Sequence, residues 1–297
     1  MKRGFPALAV ATVIATFAQI ALGGLVRNSG SGLGCRDQWP LCNGEPYPGW
    51  NVHAIIEYSH RTFGALTSVL LLATFVAALL LFRRSNRALV LSSGAALVVV
   101  AFEIPLGALV VFQNLAAFLV VAHFAVAMGI LACTLVTAVL ALAELGGQAS
   151  SSMTRWLMLG IAVLALVTFL SGSAVVASGA DDACHSWPLC QGGFNFDFSG
   201  ANAFTMVHRG SAGVLLLLAV IAAARSWLGM RDAGFWPEAV LASVLIQAAI
   251  GVGAAIYGST VLFDTLHVAM AAAVWGVSLA ALVAVLLPRG RPAVAAA

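Results

Sequence analysis

The residues able to do chemistry are few, and they recur. Four histidines fall inside long apolar stretches: His60, His123, His208 and His267. Two are followed directly by arginine, as His60-Arg61 and His208-Arg209, and Glu57 stands three positions before His60. Trp39-Pro40-Leu41-Cys42 precedes His60-Arg61 with the same spacing by which Trp187-Pro188-Leu189-Cys190 precedes His208-Arg209, 148 residues later. Ionisable side chains at bilayer depth are costly; they face the protein interior and mark function by default. Two neutral imidazoles on facing helices of a bundle meet the requirement for axial ligation of haem iron. One such histidine could equally be a hydrogen-bonded packing residue. Four in two repeated pairs point instead to ligation, His60 with His123 and His208 with His267.

The charged neighbours extend this reading. Guanidinium groups hold carboxylates bidentately, so Arg61, Arg209 and Arg27 are candidates for haem propionates; the alternative is arginines snorkelling to lipid headgroups. Glu57 shares a helix face with His60, whereas its equivalent in the second half is Thr205. A carboxylate there could move protons or steady a reacting species; alternatively it is an interfacial acid paired with Arg27 or Arg61. The asymmetry suggests a reactive first half and an electron-holding second half. A di-iron site would need a second Glu-x-x-His and two more glutamates, which the Thr205-x-x-His208 of the second half does not supply. Glu103, matched by Gln247, is read as a polar contact between helices.

Cys35 and Cys42, like Cys184 and Cys190, sit in polar segments predicted to face outward. An oxidising exterior favours one disulfide in each, over zinc, for which neither spacing is suited. Whether these would be static or exchange with a thiol partner stays open. Cys133 is read as packing, and His53 and His185 as loop residues without a ligand role.

The elements that must position these groups follow from composition. Of 297 residues, 62% are hydrophobic and 8% charged, against roughly a quarter charged in soluble domains. Apolar runs predict eight transmembrane helices near 5–26, 54–82, 88–112, 115–143, 155–178, 203–224, 236–258 and 262–287, an all-α membrane protein. The first run lacks a small-x-small cleavage pattern and is read as a retained helix. Ten basic residues (Lys2, Arg3, Arg83, Arg84, Arg87, Arg155, Arg225, Arg231, Arg289 and Arg291) fall on one predicted side, against Arg27, Arg36, Arg61 and Arg209 on the other. That bias predicts cytoplasmic termini in a multi-pass plasma-membrane protein of a prokaryote. The repeat predicts two tandem four-helix bundles, 1–144 and 145–297, related by an axis along the membrane normal. Gly24 pairs with Gly172 at the 148 offset; Glu103 with Gln247 and Gly107 with Gly251 keep an offset of 144. A net charge of +3 gives no basis for nucleic-acid binding, and the bilayer is the evident partner.

These residues together resemble the haem A synthase family. The likeness is carried by Gly23-Gly24-Leu25-Val26-Arg27, by Gly30-Ser31-Gly32-Leu33-Gly34-Cys35 with Trp39-Pro40-Leu41-Cys42-Asn43-Gly44, and by Glu57-Tyr58-Ser59-His60-Arg61, His123, His208-Arg209 and His267. It covers essentially the whole chain. The resemblance implies an oxidoreductase converting the C8 methyl of haem O to a formyl group by successive hydroxylations, the gem-diol losing water. It implies that Glu57, His60 and His123 form the substrate haem site and that His208 and His267 ligate a haem b that relays electrons. A farnesyl-adding haem O synthase and an electron donor would be partners, and haem A would serve cytochrome oxidase assembly. Self-association is left open. The sequence departs from the family at Glu103, where glutamine is frequent, and in the second loop at Asp181-Asp182 and His185. The rival classes are a di-haem b-type transmembrane electron carrier and a non-catalytic haem transporter, neither of which needs Glu57.

Overall fold

A computed structural model describes residues 2–143, 150–180, 187–190, 196–258 and 260–287. Eight long helices are found among them: α1 (Phe5–Asn28), α2 (Val52–Phe82), α3 (Arg87–Phe112), α4 (Ala117–Ala143), α5 (Ser152–Ala177), α6 (Asn202–Trp227), α7 (Trp236–Tyr257) and α8 (Val261–Leu286). Each apolar span covers 22–31 residues with a mean hydropathy of 1.8–2.5, enough to cross a hydrocarbon layer of about 30 Å. Helix is the form such segments must take, because lipid offers the backbone no hydrogen-bond partners. The hydroxyls within the spans obey the same constraint. Thr16, Thr67, Ser68 and Ser278 each donate to a carbonyl one turn earlier in their own helix, at 2.7–2.9 Å.

Polar caps set where the helices begin. The Asn51 side chain accepts from the backbone N–H groups of His53 (2.9 Å) and Ala54 (3.2 Å), which starts α2 two residues before the predicted 54. His53 consequently sits in the first turn of α2 rather than in a loop, its Nδ1 2.9 Å from Ser31 Oγ. Ser151 caps α5 and Thr260 caps α8 in the same way. Asp232, between α6 and α7, reinforces the start of α5. Its carboxylate accepts from the Ser151 N–H at 2.8 Å and from the Thr154 hydroxyl at 2.8 Å. Partial burial works to raise the pKa of Asp232, and these donors outweigh it, holding the carboxyl below its ordinary value.

Within each run of four, consecutive helices pack on one another and the first packs on the fourth: α1 against α4, and α5 against α8. The two runs meet through α1–α8, α4–α5 and α4–α8. Helices α1, α4, α5 and α8 therefore form the centre, and α2, α3, α6 and α7 present more of their surface outward. Leu80, Leu91, Phe102 and Phe118 are 68–72% exposed, as side chains solvated by lipid would be. The largest core cluster lies among α5–α8 and reaches Ile20 of α1 and Met128 and Leu131 of α4. The anticipated boundary at 144 falls outside the described residues.

Candidate haem sites

Helices α1–α4 enclose a cavity of about 610 Å³, within the range of small-molecule and cofactor sites. His60 of α2 and His123 of α4 both line it, as do Glu57, Arg61, Arg27 and Glu103. Each histidine has a polar companion on the neighbouring helix. The Gln19 amide of α1 lies 3.3 Å from His60 Nε2 and donates to the His60 carbonyl at 3.1 Å. Glu103 Oε1 of α3 lies 3.1 Å from His123 Nδ1, in contact but off the line of a good hydrogen bond. Glu103 is thus a contact between α3 and α4, and it also belongs to the cavity wall.

Four buried polar atoms at this cavity lack a hydrogen-bond partner: Gln19 Oε1, His60 Nδ1, His123 Nδ1 and Glu103 Oε2. Leaving such atoms unsatisfied costs about 1–3 kcal/mol each, so the cluster calls for a polar or metal-bearing occupant. Among the described residues no three of His, Cys, Asp and Glu converge as a bare-ion site. A two-nitrogen donor set in a large, mostly apolar cavity fits haem.

Glu57 is 3% exposed and held from two sides. Arg61, one turn along α2, is ion-paired with Oε1, and the backbone N–H of Cys35 donates to Oε2 at 2.8 Å. The close approach behind this bond depends on Gly34, where any Cβ would fall 2.3 Å from the His53 carbonyl group. Cys35 and Cys42 are bonded in a disulfide and fully buried with Ala54, which fixes the loop over the start of α2. Arg61 also donates to the carbonyls of Gln38 (2.8 Å) and Leu41 (3.1 Å), tying the Trp39-Pro40 turn to α2. Its guanidinium is therefore already shared between loop and acid at the rim of the cavity. Arg27 is exposed beside it.

The second half repeats the scaffold in a different finish. The His208 and His267 rings stand 6.3 Å apart between centroids, at 77°. Two imidazoles binding one metal from opposite sides at about 2.0 Å need about 6 Å between ring centres, so this pair also fits haem iron. His208 Nδ1 is 3.0 Å from the Thr168 carbonyl, which can only accept; the proton therefore sits on Nδ1 and leaves Nε2 free as a ligand. The Gln247 amide lies 3.1–3.3 Å from the nitrogens of His267, the place that Glu103 takes beside His123. Arg209 donates to the Pro188 carbonyl at 3.0 Å, as Arg61 does to its own loop. Thr205, in the place of Glu57, makes a 3.4 Å bond to the Ala180 carbonyl and no other side-chain bond among the described residues. Cys190 is disulfide-bonded, while Cys184 and His185 lie outside the described residues.

Three features escaped the sequence. A glycine backs every one of the four rings: a Cβ at Gly23, Gly107, Gly172 or Gly251 would lie 2.8–3.2 Å from Cε1 of His60, His123, His208 or His267 respectively. This aligns α1 with α5 through Gly23 and Gly172, an offset of 149, which corrects the pairing of Gly24 with Gly172; Gly24 instead meets Val268. The matched offset of Gly107 and Gly251 was visible, though not what each glycine touches. Gln19 was detectable as a lone amide in the apolar run of α1. The Glu103 and Gln247 contacts with histidine needed the packing of α3 on α4 and of α7 on α8.

Fold and site together define a polytopic membrane protein with two pairs of membrane-embedded histidines, one pair lining an open cavity. The chain belongs to the cytochrome oxidase assembly protein family, whose model matches residues 6–54 and 49–279. It is 29% identical to a heme A synthase of Symbiobacterium thermophilum over 97% of both chains. It is 31% identical to one of Alkalihalophilus pseudofirmus over 74% of this chain and 76% of that one, and 27% identical to one of Bacillus licheniformis over 85% and 86%.

Proposed function

We propose that this protein is a haem A synthase, an oxidoreductase that converts the C8 methyl of haem O to a formyl group by successive hydroxylations. The observation that carries the reading is the asymmetry of the two histidine pairs. His60 and His123 face a cavity of about 610 Å³ with Glu57 at its rim, whereas His208 and His267 stand 6.3 Å apart between ring centroids with Thr205 in the place of Glu57. Substrate haem O belongs between His60 and His123, and haem b between His208 and His267. Haem b, when bound, supplies one-electron redox chemistry.

The side chains divide the remaining work. Glu57, ion-paired with Arg61 and bonded by the Cys35 N–H, is placed to accept or return a proton beside the substrate. Arg61 and Arg27 offer guanidinium donors at the cavity mouth for propionates, and Arg209 does so for the second site. Gln19 and Thr168 orient His60 and His208 from behind. The basic-residue bias places both termini in the cytoplasm, with the disulfide loops outside and the haem sites in the outer half of the bilayer. Haem O synthase is the partner that would deliver substrate, alongside an electron donor.

The deciding experiment is chromatography of haems extracted from a haem O-producing host, with and without this chain. Haem A should appear only with it. Recovery of haem B and haem O alone, with donor and oxygen supplied, would mean a di-haem electron carrier or a haem transporter instead.

A further inference from the structure

The four histidines differ in which ring nitrogen their neighbour occupies. A metal-ligating imidazole almost always donates its second N–H to an oxygen, which fixes the tautomer and strengthens the ligand. Loss of that partner typically weakens metal binding by about 10–100-fold. An oxygen stands in this place beside two of the rings. The Thr168 carbonyl is 3.0 Å from Nδ1 of His208, and Glu103 Oε1 is 3.1 Å from Nδ1 of His123.

His60 is arranged the other way round. Gln19 stands where Thr168 stands in the second half, at the offset of 149 that pairs Gly23 with Gly172. Its amide nitrogen donates to the His60 carbonyl at 3.1 Å, which fixes that atom as the NH2 end, and the same nitrogen lies 3.3 Å from His60 Nε2. An NH2 group only donates, so the Nε2 lone pair is engaged and the ring proton belongs on Nδ1. His60 Nδ1 is buried and makes neither a hydrogen bond nor a carboxyl contact among the described residues. Gln247, beside His267, is not fixed in this way. Its nitrogen bonds only the ring and its oxygen has no partner, so the amide is free to turn that oxygen toward Nδ1. Of the four rings, only that of His60 has Nε2 held by a committed donor and Nδ1 unsupported.

We propose that His60 is the releasable ligand of the first site, and that Gln19 makes it so as a positioning residue that competes with the metal for Nε2. The inference rests on the haem reading above and adds what that site does with its iron. His123 is the ligand that stays, and one coordination position opens to a small neutral diatomic gas. That position lies on the side of Glu57, which shares a face of α2 with His60 and lines the same cavity. The second site, with Thr168 supporting His208 and Thr205 in the place of Glu57, stays closed.

Carbon monoxide is the probe, added to the dithionite-reduced full-length protein carrying haem O at the first site and haem b at the second. Optical difference spectra should show gas bound at the first haem alone, with the haem b bands unmoved. His60→Ala should bind carbon monoxide at least as tightly as the unaltered protein, because the competing imidazole is gone. Gln19→Leu should bind it about threefold or more weakly, since Nε2 is released to the iron. Mere loss of packing beside His60 would act in the opposite direction, loosening the ring and tightening the gas. An unchanged or raised affinity in Gln19→Leu would overturn the proposal. So would weaker binding in His60→Ala, gas bound at haem b, or no binding at either haem. Retained haem b bands report a folded variant; if Gln19→Leu loses them, Gln19→Met carries the same outcomes. If the unaltered protein holds no more haem O than a His60→Ala/His123→Ala blank, the haem reading itself fails, a result distinct from an immovable His60.

Discussion

Helices α1–α4 and α5–α8 share a histidine scaffold down to the glycine behind each ring, yet differ in the polar groups beside it. The first half keeps Glu57, Glu103 and Gln19 around its histidines, beside a cavity of about 610 Å³. The second substitutes Thr205, Gln247 and the Thr168 backbone carbonyl, with Leu215 and Phe169 in its core. The histidine scaffold is thus common to both halves, and the charge beside it is what tells them apart. Buried charge is tolerated only where it is paired, and Glu57 is paired on both oxygens.

The strongest way to break this comparison is to remove one histidine from each half. His123→Ala should abolish haem A formation and leave the spectrum of haem b at His208/His267 intact. His267→Ala should remove that spectrum. The comparison fails if either substitution empties both sites, as read by extracted haems and reduced-minus-oxidised spectra.

Next in size is Glu57→Gln. It leaves the Arg61 guanidinium without its counter-charge and should cost about 3–5 kcal/mol of stability together with most of the activity. Thr205→Val, the mirror change, removes only a 3.4 Å bond and should cost under about 1 kcal/mol. Similar melting temperatures for the two variants would contradict the asymmetry. Alanine behind the rings should act alike in both halves: Gly107→Ala and Gly251→Ala each push a methyl against Cε1, at an overpacking cost of about 1–3 kcal/mol. The readout is haem retention on dilution; retention equal to the parent protein would mean that the rings move aside freely.

Glu103→Gln makes the first half resemble the second at that position. Because Gln247 already serves His267, haem A output should stay within a factor of about three, under about 0.7 kcal/mol. A larger loss would promote Glu103 to a reacting group. Last comes Asp232, whose effect is on stability alone; it staples the start of α5 where α1 has no side-chain cap. Its folded-state carboxyl is held below the ordinary value. Its contribution is therefore present above that ordinary value and lost as pH falls through the folded one. Asp232→Asn should lower stability at neutral pH by under about 1 kcal/mol and flatten the acid side of the stability profile. An unchanged acid limb would remove Asp232 from the account.

Much of this was legible in the residues. Apolar runs predicted all eight helices to within about three residues; Asn51 draws the start of α2 outward, while α4 starts two residues later and α6 ends three residues later than expected. The four histidines and the Cys35–Cys42 bridge were readable because chemistry restricts which residue types can serve. Gln19 was passed over because one amide in an apolar helix carries no spacing to interpret. Glu103 was read as packing because its partner, His123, lies on another helix.

The sequence by itself determined the membrane architecture and singled out the four histidines within it. Hydropathy is a local property, and an imidazole at bilayer depth is rare enough to declare itself. Only the tertiary structure decided which side chains touch, which glycine yields room to which ring, and which residues wall the cavity. Cavities arise from the sum of side-chain volumes contributed by four helices, a quantity no single segment contains.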